Sequence, residues 1–142
     1  MIVPWKKQAL DHPERIWIRT QDHQITYGDL ANRILLYTNH IRKDIQKGSR
    51  VGIWKQDIVT TIGLFFAILE CGCTAVIFSD RDPIEKIDHQ SRYILLDHMI
   101  KDPLSVDLNE KFSLIDHLDE DQDAKEKKIL LFTSGSTKYP KA

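Results

Sequence analysis

Apolar positions recur along the chain at two spacings, and the changes between them mark out alternating strands and helices. Val3 to Leu10 suits a short helix ending at Asp11-His12-Pro13. Ile16-Trp17-Ile18-Arg19-Thr20 and Gln24-Ile25-Thr26, separated by the polar Gln21-Asp22-His23, predict a hairpin. Leu30, Ile34, Leu35, Ile41 and Ile45 then fall on one side of a helix over Leu30 to Ile45. Thr26 suits its N-cap, and Asp29 sits where a carboxylate favours the positive end of the helix. Gly48 predicts the stop. Lys47 to Trp54 gives a turn and a short strand, and Ile58 to Glu70 is apolar enough to lie buried against a sheet. Cys71-Gly72-Cys73 closes that helix, and Thr74-Ala75-Val76-Ile77-Phe78 is the next strand.

The second half is less regular. Pro83 is expected in the first turn of a helix running to about His89, where its missing N–H costs nothing. Tyr93-Ile94-Leu95-Leu96-Asp97 fits either a short strand or the middle of a helix. From Lys101 to Asp116 the pattern weakens, with Leu114-Ile115 as its anchor. Residues 117–128 are charge-dense and read as a solvated linker. Ile129-Leu130-Leu131-Phe132 is an apolar run suited to a strand covered on both faces. Strands alternating with helices predict an α/β fold with a mainly parallel sheet and flanking helices, one domain over residues 1–142.

The residues behind that last strand carry the candidate chemistry. Thr133-Ser134-Gly135-Ser136-Thr137-Lys138-Tyr139-Pro140-Lys141-Ala142 sets hydroxyl residues around one glycine and closes with a proline and a lysine. Such a loop can turn several N–H groups and hydroxyls toward one point, with the Lys141 ammonium adding a full charge, and so receive an anion. A Ser/Thr/Gly cluster behind a strand is by itself most often a solvated loop. The nucleotide P-loop pattern G-x-x-x-x-G-K-[ST] does not fit, because the chain has no Gly-Lys-Ser/Thr.

The stretch instead resembles the phosphate loop of the adenylate-forming superfamily, which includes acyl-CoA synthetases, peptide-synthetase adenylation domains and luciferases. That loop reads T-S-G-[ST]-T-G-x-P-K-G behind an apolar strand. Thr133, Ser134, Gly135, Ser136, Thr137, Pro140 and Lys141 match it, while Lys138 and Ala142 replace its other two glycines. Lysine at 138 adds a Cβ where glycine tolerates positive φ and close approach of a phosphate, and it also adds charge. Thr26-Tyr27-Gly28-Asp29-Leu30 and Gly48 to Ile53 are similar to less specific family segments, Ser49 standing where an acidic residue is common.

The resemblance implies the N-terminal part of the large domain of an adenylate-forming enzyme. It implies that Thr133, Ser134, Gly135, Ser136, Thr137 and Lys141 hold the phosphates of ATP, with Mg²⁺ as the accompanying cation. The parent reaction joins a carboxylic acid to ATP as acyl-AMP and then to a thiol such as CoA, as in fatty acid metabolism. None of the 142 residues matches the family's catalytic lysine, so this stretch alone is expected to be inactive. Two other readings stand beside it: a naturally short, non-catalytic binding module, and an unrelated α/β module with a chance Ser/Thr loop. An unpaired sheet edge would also favour a homo-oligomer.

Composition narrows the picture further. A formal net charge of -1 argues against an electrostatic nucleic-acid binder. The N-terminus lacks the apolar core of a signal peptide, and Ile58 to Leu69 is too short for a membrane span, so a cytoplasmic location is expected. Cys71 and Cys73 form C-x-C with no second pair, and the six histidines are scattered, so no protein-built metal site is expected. Two buried thiols beside a tight turn is the reading for that pair.

Overall fold

The computed structural model describes residues 5–22, 24–102, 104, 106–108 and 128–131, the last four as backbone. Helix α1 (Trp5–Asp11) leads into strands β1 (Ile16–Arg19) and β2 (Gln24–Thr26), which pair antiparallel as the expected hairpin. Trp17 of β1 stacks on Tyr27 at 4.7 Å between ring centroids, and Trp5 and Phe66 close the same aromatic cluster. Helix α2 (Tyr27–Asp44) begins where the Thr26 hydroxyl accepts the N–H of Asp29 at 3.1 Å. It starts three residues before the apolar stripe does, because the cap rather than the stripe fixes its first turn. Leu30, Ala31, Ile34, Tyr37 and Ile41 form its buried face.

Strand β3 (Arg50–Ile53), helix α3 (Ile58–Glu70) and strand β4 (Thr74–Ile77) follow as a parallel strand–helix–strand unit. The run from Ile58 to Glu70 is helical over the range expected. Asp57 caps it, accepting the backbone N–H of Thr60 at 2.8 Å and its hydroxyl at 3.0 Å. Helix α4 (Ile84–Tyr93) begins behind Pro83, which stands at the N-cap rather than inside the first turn. Strand β5 (His98–Ile100) and strand β6 (Lys128–Leu131) complete a four-stranded sheet of order β5-β3-β4-β6, parallel throughout. The α/β fold with flanking helices is therefore as expected.

Two readings of the second half are corrected. The helix behind Pro83 runs past His89 to Tyr93, and Tyr93-Ile94-Leu95-Leu96-Asp97 is neither a strand nor mid-helix. The apolar run ends α4 and turns the chain through Leu95 at φ 56°, and β5 starts at His98. At the other edge, Lys128 belongs to β6 rather than to a linker. Leu114-Ile115, residues 117–127 and Phe132 lie outside the described residues.

Alternate strand residues point to opposite faces of the sheet. Val51, Ile53, Ala75 and Ile100 join Leu30, Ile34, Ile41, Leu64 and Ile68 in the larger core beneath α1, α2 and α3. Val76, Trp54 and Phe78 form a smaller core with Ile87 and Ile94 at α4. Gly52 lets the second core close, since a Cβ there would lie 2.7 Å from the Phe78 ring. Lys6, although buried, ties α1 to the end of α3, its Nζ lying 3.0 Å from both oxygens of Glu70.

Candidate functional site

Strands β3 and β4 are neighbours, but the chain leaves them in opposite directions. From β3 it passes to α3 and the larger core, and from β4 to α4 and the smaller one. In open parallel sheets, the crevice at the carboxyl ends of two such strands is where ligands bind. Strand β6 lies against the other side of β4, paired from Thr74↔Lys128 to Ile77↔Leu131. It therefore ends level with β4 at the same end of the sheet.

The residues singled out from the sequence come next in the chain. Thr133, Ser134, Gly135, Ser136, Thr137 and Lys141, with Lys138 and Ala142, lie outside the described residues. What is described is the strand before them and the rim formed by the exits of β3 and β4.

Trp54, at the end of β3, is buried; its indole Nε1 donates to the Ser79 carbonyl at 3.0 Å, and its backbone N–H to the Ile100 carbonyl at 3.0 Å. Lys55 follows at φ 59°, its N–H donated to Asp80 Oδ1 at 2.9 Å and its ammonium 4.5 Å from the Trp54 ring centroid. The exit of β4 is a compact turn. Ser79 Oγ accepts the N–H of Arg81, the Ser79 carbonyl accepts that of Asp82, and Lys86 Nζ stands 3.3 Å from Asp82 Oδ1. Asp82 Oδ2 and Gln56 Nε2 are buried with no hydrogen-bond partner among the described residues.

Sequence reasoning missed this rim. Asp80-Arg81-Asp82-Pro83 reads only as the approach to a helix, and Lys55 carries no local signal at all. Asp57, at the amino end of α3, has a shifted pKa. Burial pushes it up, but hydrogen bonds from the Thr60 N–H and hydroxyl and from Val59, with the Arg33 charge, outweigh that and hold it below its usual value.

The donor set in the sequence suits phosphate. Four hydroxyls and the Lys141 ammonium are all able to donate to phosphate oxygens. Among the described residues, no cluster of three or more His, Cys, Asp or Glu could hold a metal ion. A magnesium ion commonly keeps several waters and arrives on phosphate oxygens, so it needs no such cage. Cys71 and Cys73 are buried free thiols, as expected beside the turn at Gly72. Burial pushes the Cys71 thiol up to about 11, which leaves it protonated and unreactive at neutral pH. No helix among the described residues is long and apolar enough to cross a membrane.

Comparison with known proteins bears on the whole of this arrangement. The sequence model of the AMP-binding enzymes matches residues 5–142. The N-terminal subdomain of NpsA from Klebsiella oxytoca is similar over 73% of this chain and 28% of its own, at 19% identity and a TM-score of 0.66. Coronafacic acid ligase from Pectobacterium brasiliense is similar over 67% of this chain and 19% of its own, at 20% identity and a TM-score of 0.63. The o-succinylbenzoate coenzyme A synthetase of Bacillus subtilis, solved in complex with ATP and magnesium ion, is similar over 70% of this chain and 27% of its own. Its identity is 16% and its TM-score 0.58. At these identities the likeness is one of fold, and the chain spans 28% or less of each of the three. No curated protein sequence matches the chain.

Proposed function

The chain belongs to the AMP-binding enzyme family, and on that premise we propose that it supplies the phosphate-holding part of an acid-activating ligase. Thr133, Ser134, Gly135, Ser136, Thr137 and Lys141 receive the β- and γ-phosphates of ATP. In the complete protein a carboxylate oxygen attacks the α-phosphorus, the bond to the bridging oxygen breaks, and pyrophosphate leaves with that electron pair. A thiol, CoA being the proposed one, then takes the acyl group and AMP departs. Backbone N–H groups, hydroxyls and Lys141 act by meeting phosphate charge with preorganised donors. Magnesium bound with the nucleotide adds further positive charge.

The observation that carries this reading is the place of β6. It runs parallel to β4 and ends at the carboxyl end of the sheet, beside the crevice where β3 and β4 diverge, and the Ser/Thr/Lys stretch comes next in the sequence. On this reading residues 1–142 bind nucleotide phosphate and do not form acyl-AMP by themselves. Titration with Mg-ATP and with pyrophosphate tests it. At a hundredfold excess over the dissociation constant, binding stabilises the folded chain by about 2.7 kcal/mol. Lys141→Ala is expected to weaken binding at least tenfold. A melting temperature that neither ligand moves overturns the reading.

A further inference from the structure

We propose that the outer edge of β5 is a docking surface for a second copy of this chain. The two edges pair antiparallel about a two-fold axis at Met99. β5 ends the sheet order β5-β3-β4-β6, and no strand lies on its outer side among the described residues. Successive residues of a strand turn their backbone groups to opposite sides. The Ile100 carbonyl accepts the N–H of Trp54 and so faces β3. The N–H and carbonyl of Met99 therefore face outward, where such groups form a template for another strand.

β5 is three residues long and flanked by charge, and both features can keep an edge from pairing. The order of the signs decides otherwise here. An axis at Met99 sets Asp97 of each copy directly opposite Lys101 of the other, and both side chains are exposed. Opposite charges so placed favour a pairing that like charges would oppose. Moving the axis by one residue, to His98 or Ile100, puts Lys101 opposite Leu95 or Met99 instead. Asp97 is already held in place: its Oδ2 accepts the Arg50 N–H at 2.7 Å, and its own N–H goes to the Arg50 carbonyl.

An apolar surface lies beside the same edge. Ile100 belongs to the larger core and Met99 packs against the smaller one, on the α4 face. There Met99 lines the cleft of about 310 Å³ with Trp54, Ile84 and Ile87, and Asp97 and Lys101 line it as well. Ile84 is 55% exposed. A two-fold axis perpendicular to a continuous sheet leaves both copies of α4 on one face, so their clefts open toward each other. The second copy then covers apolar wall that one chain leaves in water. Edge bonds, charges and cleft are each complementary to themselves, as a two-fold contact requires.

Sedimentation velocity over a wide range of protein concentration tests this. The wild-type mass is expected to rise from the 16.5 kDa of one chain toward twice that value. Met99→Pro deletes the outward N–H at a position where an edge strand accepts proline. It is expected to fold, shown by a cooperative melt, and to stay a monomer throughout. Lys101→Glu is expected to weaken association about tenfold, because symmetry counts the like-charge pair twice. Lys101→Arg keeps the charge and should stay within about twofold of wild type.

A wild-type mass that does not change with concentration overturns the proposal. So does a folded Met99→Pro chain that still dimerises, which would place the contact at another surface. Should Met99→Pro fail to fold, the exposed Lys101 decides, and a Lys101→Glu chain that associates as tightly as wild type overturns the pairing.

Discussion

Helices α3 and α4 end on the same pair of hydrogen bonds with different residues in the left-handed position. At α3 the N–H of Gly72 donates to Leu69 and that of Cys73 to Ile68; at α4 Leu95 and Leu96 donate to Arg92 and Ser91. Gly72 takes φ 73° without a Cβ to crowd, whereas Leu95 takes 56° with one and is 74% exposed. The contrast extends along both helices. α3 is apolar nearly all round, side-chain capped and set in a core shared with α1 and α2. α4 has no side-chain cap and buries two residues, one of them Gln90, whose amide has no partner among the described residues. The two faces of the sheet are therefore secured unequally. The α3 face is reinforced at every level, and the α4 face is held by shape with several local conflicts left in place.

The largest expected difference is in the cores. Leu64→Ala removes a fully buried side chain from the α3 face and is expected to cost about 4 kcal/mol, because the closed surroundings leave a cavity. Ile87→Ala on α4 opens into a cleft of about 310 Å³ that Ile87 already lines with Trp54 and Met99. The vacated space joins solvent there, and the expected cost is about 2 kcal/mol. Urea unfolding of both variants measures the gap; equal losses would remove the distinction between the faces.

Next come the helix ends, where the two substitutions should have opposite signs. Gly72→Ala is expected to destabilise by about 1–2 kcal/mol through its backbone angle. The nearest atom the new methyl would meet is Cγ of Lys47 at 2.9 Å, so that side chain would have to shift as well. Leu95→Gly is expected to stabilise by about 1 kcal/mol, less than the strain it relieves because glycine also loosens the unfolded chain. Thermal melts of the two variants would move in opposite directions from the wild type.

The smallest effect is conditional on pH. Asp57→Ala removes the cap of α3 and is expected to cost about 1 kcal/mol at neutral pH. The folded pKa of Asp57 is lowered, so its contribution is present above the unfolded value and is lost as pH falls through the folded one. Wild type and variant should converge below about pH 4. A gap that persists at pH 2 would assign the loss to something other than the carboxylate.

The same inequality decided what could be read from the sequence. α3 was legible because a mostly apolar run from Ile58 to Glu70 ends at a turn signalled by Cys71-Gly72-Cys73. The hairpin, β3 and β4 were legible as short apolar stretches bounded by turn signals. β5 was not, because His98-Met99-Ile100 is short and starts polar, while the more apolar Tyr93 to Leu96 beside it is the end of a helix. The Ser/Thr/Lys stretch was singled out by its resemblance to a family motif, since its proposed chemistry lies in hydroxyls and an ammonium close together in sequence. The rim was not legible. The φ of Lys55 answers to a carboxylate that the fold, not the local sequence, brings near, and no pattern within one element announces such a bond.

β3, α3 and β4 follow one another in the chain and close through a single crossover. β6 reaches β4 only after α4, β5 and the segment behind them have been made. Closing the longer loop loses more entropy before any ladder bond compensates, so in time β6 joins the sheet after its neighbours. A chain on the ribosome that has reached Asp107 already holds every residue of both described cores. It still lacks β6 and the stretch proposed to hold phosphate, so every residue of both cores is made before that stretch.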